Sequence, residues 1–165
     1  MAVGFEQKIV APSELAQAVC NLPRPLVFTN GVFDILHRGH VTYLAEARAL
    51  GASLIVALND DDSVRRLAKG PDRPINALPD RLAVMAALES VAMVSWFGDD
   101  TPLQLIHLCR PDVLVKGGDW PVHAIVGANE VLSWGGRVES IDFAHQRSTT
   151  SLLQKIRTAE QKNQG

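Results

Sequence analysis

The sequence predicts an α/β domain, a five-stranded parallel sheet with helices on both faces. Three observations carry that expectation. Five short apolar, β-branched runs recur along the 165 residues, longer segments of helical period separate them, and the chemically active residues gather just after the runs. Strands separated by helices return in the same direction, and a parallel sheet built this way must be covered on both sides. A chain of this length suits one domain, which buries about 70% of the surface its unfolded form exposes.

In chain order, a helix is expected over 12–22, with Ser13 ahead of Glu14 as its start signal. PLVFTN, residues 25–30, reads as the first buried strand, and helical period follows over 39–50. SLIVALN at 53–59 is the second strand and 60–68 the next helix. KGPDRPINALPD, residues 69–80, carries glycine and prolines and reads as one long functional loop. Pro79 and Asp80 then open a helix over 79–90, and AMVSWF at 92–97 is the third strand. Thr101 before Pro102 starts a helix over 101–110, followed by strand DVLVKG at 112–117, a helix over 121–134 and strand GRVESID at 136–142. A last helix, 148–161, is capped by Ser148, and the polar end 159–165 is expected to fray. The elements make a single Rossmann-like domain over 1–165 with its core in 25–157.

Composition narrows the function. The apolar share is 47% and the charged share 21%, which argues for a packed globular chain rather than disorder. Net charge is −2 with dispersed cations, so nucleic acid is not an expected partner and a small phosphorylated ligand is. Cys20 and Cys109 fall in predicted helices among apolar neighbours without CxxC spacing, which reads as two buried structural thiols in a reducing compartment. Glu6 and Lys8 interrupt any signal-peptide core and no segment reaches membrane-spanning length, so a cytoplasmic protein with no membrane partner is expected.

The most specific motif is GVFDILHRGH, residues 31–40, between the first strand and its helix. A helix start offers unpaired N–H groups and positive dipole charge, and Gly39 lets a ligand approach the backbone there, so His37 and His40 make a phosphate site. The plainer alternative is a pair of capping or surface histidines. A metal site is a third, but HxxH is not HExxH and no Cys or carboxylate pattern completes a zinc set. RSTTS, residues 147–151, would cap a helix in any protein, and the same hydroxyls and amides take phosphate oxygens, with Arg147 adding a charge. Lys69, Arg73 and Arg81 are either solvated charges or a loop closing on an anion; Arg81 opposes its helix dipole, a cost that an anionic ligand would offset. KGGDW, residues 116–120, is a tight turn whose glycines also allow close approach of a nucleoside, with Asp119 able to accept from hydroxyls.

GxFDxxHxGH, an arginine-led helix, KGGD and a final STT come in the order of the HxGH nucleotidylyltransferase superfamily, and the chain resembles its cytidylyltransferase-like branch over roughly 25–157. Within it, NDDDSVRRLAKGPDRPIN, PDRLAVMAALESV, DTPLQLI, PDVLVKGGDW and RSTTSLLQKIR look most like the heptose 1-phosphate adenylyltransferase family of ADP-heptose synthesis. Phosphopantetheine adenylyltransferases usually carry Thr where His37 stands, while related chains often carry a small or apolar residue in place of Arg147. The resemblance implies transfer of AMP from ATP to D-glycero-β-D-manno-heptose 1-phosphate, with a kinase and a phosphatase upstream in the route to lipopolysaccharide inner core. A CTP-using glycerol-3-phosphate cytidylyltransferase is the alternative, and a non-catalytic nucleotide sensor a further one.

It also implies roles. His37, His40 and Lys69 would be catalytic. Thr29, Asn30, Gly31, Phe33 and Gly39 would bind nucleotide or phosphate, as would Arg81 and the turn Lys116, Gly117, Gly118 and Asp119. Arg147, Ser148, Thr149 and Thr150 would hold phosphates from the last helix. Asp34 and Arg73 would receive the acceptor, with Mg²⁺ carried by the triphosphate and Asp34 within reach of it. A homo-oligomer is expected.

Overall fold

Alternation along each strand decides the architecture. In the computed structural model, which describes residues 4–67, 72–142, 155, 156 and 158, β1 (Leu26–Gly31) sends Leu26 and Phe28 to one face and Val27 to the other. β2 (Ser53–Asn59) sends Ile55 and Ala57 one way and Leu54, Val56 and Leu58 the other. Both strands are therefore apolar on two sides and must be sandwiched. With β3 (Met93–Phe97), β4 (Val113–Gly117) and β5 (Arg137–Ile141) they form one parallel sheet in the order β3-β2-β1-β4-β5.

Helices α1 (Leu15–Val19), α5 (Leu103–Cys109) and α6 (Ala128–Ser133) pack on the Phe28 face. On the Val27 face lie α2 (Arg38–Ala49) and α4 (Leu78–Ala86). Between β2 and α4 comes α3 (Asp61–Arg66), where Asp60 caps the helix by accepting from the Ser63 N–H at 2.7 Å. The expected single five-stranded domain with both faces covered is what forms. No helix among the described residues is long and apolar enough to cross a membrane.

Several local expectations give way. Ser13 and Thr101 do not cap: the N-cap positions are Glu14 and Pro102, without side-chain bonds, and α4 starts from Ala77 rather than at Asp80. The helix expected over 121–134 is broken into a 3-10 turn, Val122–Ala124, and α6, because Gly127 is left-handed at φ 86 and a Cβ there would meet Ile106 at 2.5 Å. Cys109 is buried as expected but Cys20 is exposed, since α1 is only five residues long and packs through Leu15 and Val19, leaving the next position on the solvent side. A 3-10 turn at Gly4–Lys8 has no counterpart among the sequence expectations. It leads Ile9 into a parallel bridge with Val94, so the N-terminal segment covers the β3 edge. The predicted last helix lies almost wholly outside the described residues.

β1 pairs with β2 over six positions but with β4 only at Val27–Val113 and Phe28–Leu114. Their carboxyl ends part where the strand order reverses, which is where α/β sheets bind ligands. Ser95 of β3 is fully buried and its hydroxyl has no hydrogen-bond partner. Ser95→Ala is expected to stabilise the fold by up to about 1 kcal/mol, read by thermal or urea denaturation; a clear loss of stability would show that the hydroxyl is bonded.

Candidate active site

The chain leaves β1 at Gly31 and enters α2 at Arg38, with His37 extended at the N-cap and accepting from the N–H groups of His40 and Val41 at 2.9 and 3.2 Å. This places both imidazoles on one side of the junction. Their rings stack with centroids 3.8 Å apart, and Phe33 meets His40 edge-on at 5.2 Å. Phe33 holds a left-handed φ of 46, an uncommon state for an aromatic residue, and a Cβ on Gly31 would come within 2.8 Å of its ring. Gly31 thus makes room for the ring that braces His40. Burial pushes His40 down to about 4, the His37 charge adds to the shift, and a backbone hydrogen bond with Ile35 opposes it. His40 is neutral at pH 7. Gly39, buried in the first turn of α2, sits beside the pair.

Three charged residues expected at the ligand serve the scaffold instead. Asp34 accepts from the Ile75 and Asn76 N–H groups at 2.9 and 2.8 Å, and its Oδ2 lies 2.6 Å from Arg73 Nε, aligned as a charge pair rather than a hydrogen bond. The Asp34 side chain is fully buried, and Arg73 is paired against it. Arg81 is equally enclosed. It donates to the carbonyls of Asn76, Val32 and Asn59 and to the Asp61 carboxylate at 2.6 Å, tying the ends of β1 and β2 to the long loop rather than holding phosphate. Asp61 also answers the dipole objection, since it neutralises the cation near the start of α4. Thr29, expected at the nucleotide, is buried and shares a 2.6 Å hydrogen bond with Tyr43, which fixes α2 against β1; burial pushes the Tyr43 hydroxyl well up.

A cavity of about 290 Å³ opens at the parted ends of β1 and β4. Asn30, Gly31 and Val32 form its middle. On the β4 side are Lys116, Trp120, Ala124, Ile125 and Val126, and on the other Asn59, Leu67, Phe97, Asp100, Thr101 and Pro102. Gly117, Gly118 and Asp119 are the turn that carries Lys116 and Trp120 to the cavity. Gly118 N–H donates to Ile141 O at 2.9 Å, its carbonyl accepts from the Ser140 hydroxyl, and Asp119 is exposed. Lys69, Arg147, Ser148, Thr149 and Thr150 lie outside the described residues. Sequence reasoning misses Asn59, Phe97, Asp100, Thr101 and Trp120, although Asn59 and Phe97 end strands and can be found by that position alone.

A parallel sheet in this order, with paired histidines at the first strand-to-helix junction and a cavity at the switch point, defines a nucleotide-handling α/β enzyme. The chain belongs to the Cytidylyltransferase-like family, whose profile matches residues 28–160, and it is a nucleotidyltransferase. It is 58% identical over 155 residues to D-beta-D-heptose 1-phosphate adenylyltransferase of Bordetella bronchiseptica, spanning 93% of this chain and 96% of that protein. It is 54% identical over 132 residues to the bifunctional protein HldE of Hahella chejuensis, spanning 80% of this chain and 28% of that longer protein. Among solved structures, a lipopolysaccharide core biosynthesis protein from Thermoplasma volcanium shares 27% identity with a TM-score of 0.59, over 74% of this chain and 98% of that one. Pantoate-beta-alanine ligase of Francisella tularensis, at 14% identity and a TM-score of 0.58 over 86% and 68%, shares the fold.

Two measurements check this geometry. Asp34→Ala strands a buried guanidinium and two amides, so a loss of about 3 kcal/mol or more is expected in denaturant melts, with the Arg73→Ala, Asp34→Ala double variant far from additive. His40 binds its proton less tightly folded, at about 4, than unfolded, at 6.5, so its contribution to stability is complete above pH 6.5 and lost as pH falls toward 4. His40→Gln should flatten the melting temperature across that window relative to the parent.

Proposed function

We propose that this enzyme transfers the adenylyl group of ATP to D-glycero-β-D-manno-heptose 1-phosphate, giving ADP-heptose and pyrophosphate for lipopolysaccharide inner core, in the cytoplasm. The observation that carries the substrate is the 58% identity to an adenylyltransferase of a heptose 1-phosphate over nearly the whole of both chains. The CTP-dependent glycerol phosphate alternative has no such support, and the residues that set the histidine pair in place speak for chemistry over sensing.

An oxygen of the sugar phosphate attacks the α-phosphorus, a new P–O bond forms, and the bond from that phosphorus to the bridging oxygen of pyrophosphate breaks. The nucleophile is already an anion, so a protein nucleophile is not required. The protein's task is to align the two oxygens and to stabilise charge that grows on the α-phosphate and the leaving group. His37 and His40 do so at the start of α2, with the first-turn amides beside them. By motif, Lys69, Arg147, Ser148, Thr149 and Thr150 join them. Mg²⁺ carried by the triphosphate would supply further neutralisation of phosphate charge. The base and ribose lie toward Trp120 and the Lys116–Asp119 turn, where the ring offers a flat apolar face.

Pyrophosphate release tests the reading, with ATP and CTP crossed against heptose 1-phosphate and glycerol 3-phosphate. Release is expected with ATP and heptose 1-phosphate alone; release with CTP and glycerol 3-phosphate would replace the substrates, and silence throughout would replace the reaction. His40→Ala should lower turnover about 100-fold or more with the fold intact. A variant of near-parental turnover would remove His40 from the chemistry.

A further inference from the structure

Asp34 and Arg73 are locked to each other, and Asp34 to the loop that carries Arg73, so other polar groups at the cavity are the ones open to an acceptor. Sheet order divides the cavity at the tip of β1. One side, toward β4, sets the Trp120 ring and Lys116 among apolar groups and suits a nucleobase. The other side, beyond β2 and β3, places an amide, a carboxylate and a hydroxyl, from Asn59, Asp100 and Thr101, over the apolar floor of Phe97. That is the donor and acceptor set a polyol needs.

The reaction's geometry selects the face of the sheet on which that floor lies. The histidine junction begins α2, which packs on the Val27 face of the sheet, whereas Phe97 and Ile125 belong to the opposite face. With pyrophosphate leaving toward the start of α2, a nucleophile in line with it arrives from the Phe97 face. Asp100 is also oriented. Arg66 donates to its Oδ1 at 2.9 Å and to the Gly98 carbonyl, so the guanidinium sets the carboxylate's direction from α3. An exposed pair of this kind adds little stability, the Asp100 side chain being 84% exposed, and its effect is on placement.

We infer that Asp100 and Thr101 form the subsite that reads the hydroxyls of the acceptor sugar, with Arg66 as the positioning residue for the Asp100 carboxylate. The inference rests on the adenylyl-transfer reading above. Its test is steady-state kinetics of the full chain with ATP and heptose 1-phosphate for the parent, Asp100→Asn, Thr101→Val and Arg66→Gln. Asp62→Asn, whose carboxylate pairs with Arg65 on exposed α3, serves as a control.

Acceptor KM is expected to rise about tenfold or more in Asp100→Asn, and severalfold in the other two, while ATP KM stays within about twofold and melting temperature is unchanged. Asp100→Glu should recover part of the loss, which a purely structural role would not predict. Active variants with parental acceptor KM, or with both KM values raised together, would overturn the subsite and leave the reaction standing. A parent enzyme that releases no pyrophosphate from this substrate pair would overturn the reaction, and the subsite with it.

Discussion

The separation of β1 from β4 after Phe28 and Leu114 is the constraint on which the site depends. β1 is held to β2 along its full length and β4 is held to β5 over five positions, so each strand is rigid on its outer side while the edge between them stays open. The opening follows from connectivity. The helix after β1 packs on one face and the helix leading into β4 packs on the other, so the loops at the two strand ends diverge. A ligand placed there meets the start of α2 from one side and the aromatic turn after β4 from the other.

Loops around such an opening cannot rely on the sheet ladder for position, and buried charge fixes them here. Arg81 satisfies carbonyls at the ends of β1 and β2 and one in the long loop, while Asp34 satisfies two amides of that loop. Each would be costly if left alone; together they are paired and bonded, which is the condition under which buried charge is tolerated. The result is a defined geometry. Val32, held by Arg81, precedes Phe33, and Phe33 braces His40, so the scaffold cation and the neutral imidazole belong to one chain of contacts.

The fold was legible because its signals are local and repeated: every strand falls within a residue or two of its apolar run. The histidine pair was legible because the position of HRGH between strand and helix is itself a local pattern. What was not legible was the set of contacts the charges make. In sequence, Asp34, Arg73 and Arg81 sit beside the motif and look like ligands for an anion, but whether a loop cation meets solvent, substrate or another part of the loop depends on contacts between residues some 20 to 50 positions apart. The contact of Thr29 was hidden in the same way, since its partner Tyr43 is across the strand–helix interface. The break in the 121–134 helix turns on Gly127 meeting Ile106, again a tertiary contact. Asp100 and Thr101 were legible only as the start of a family-like segment and of a helix, and the sheet order is what brings them to the cavity.

The account is tested most directly by a crystal structure of the enzyme with a non-hydrolysable ATP analogue, Mg²⁺ and the sugar 1-phosphate. It predicts the base against Trp120, the α-phosphate at the tip of β1 beside His37 and His40, and the sugar on the side of β2 and β3. A triphosphate seated away from the histidine junction, or a sugar lodged on the side of β4, would contradict it.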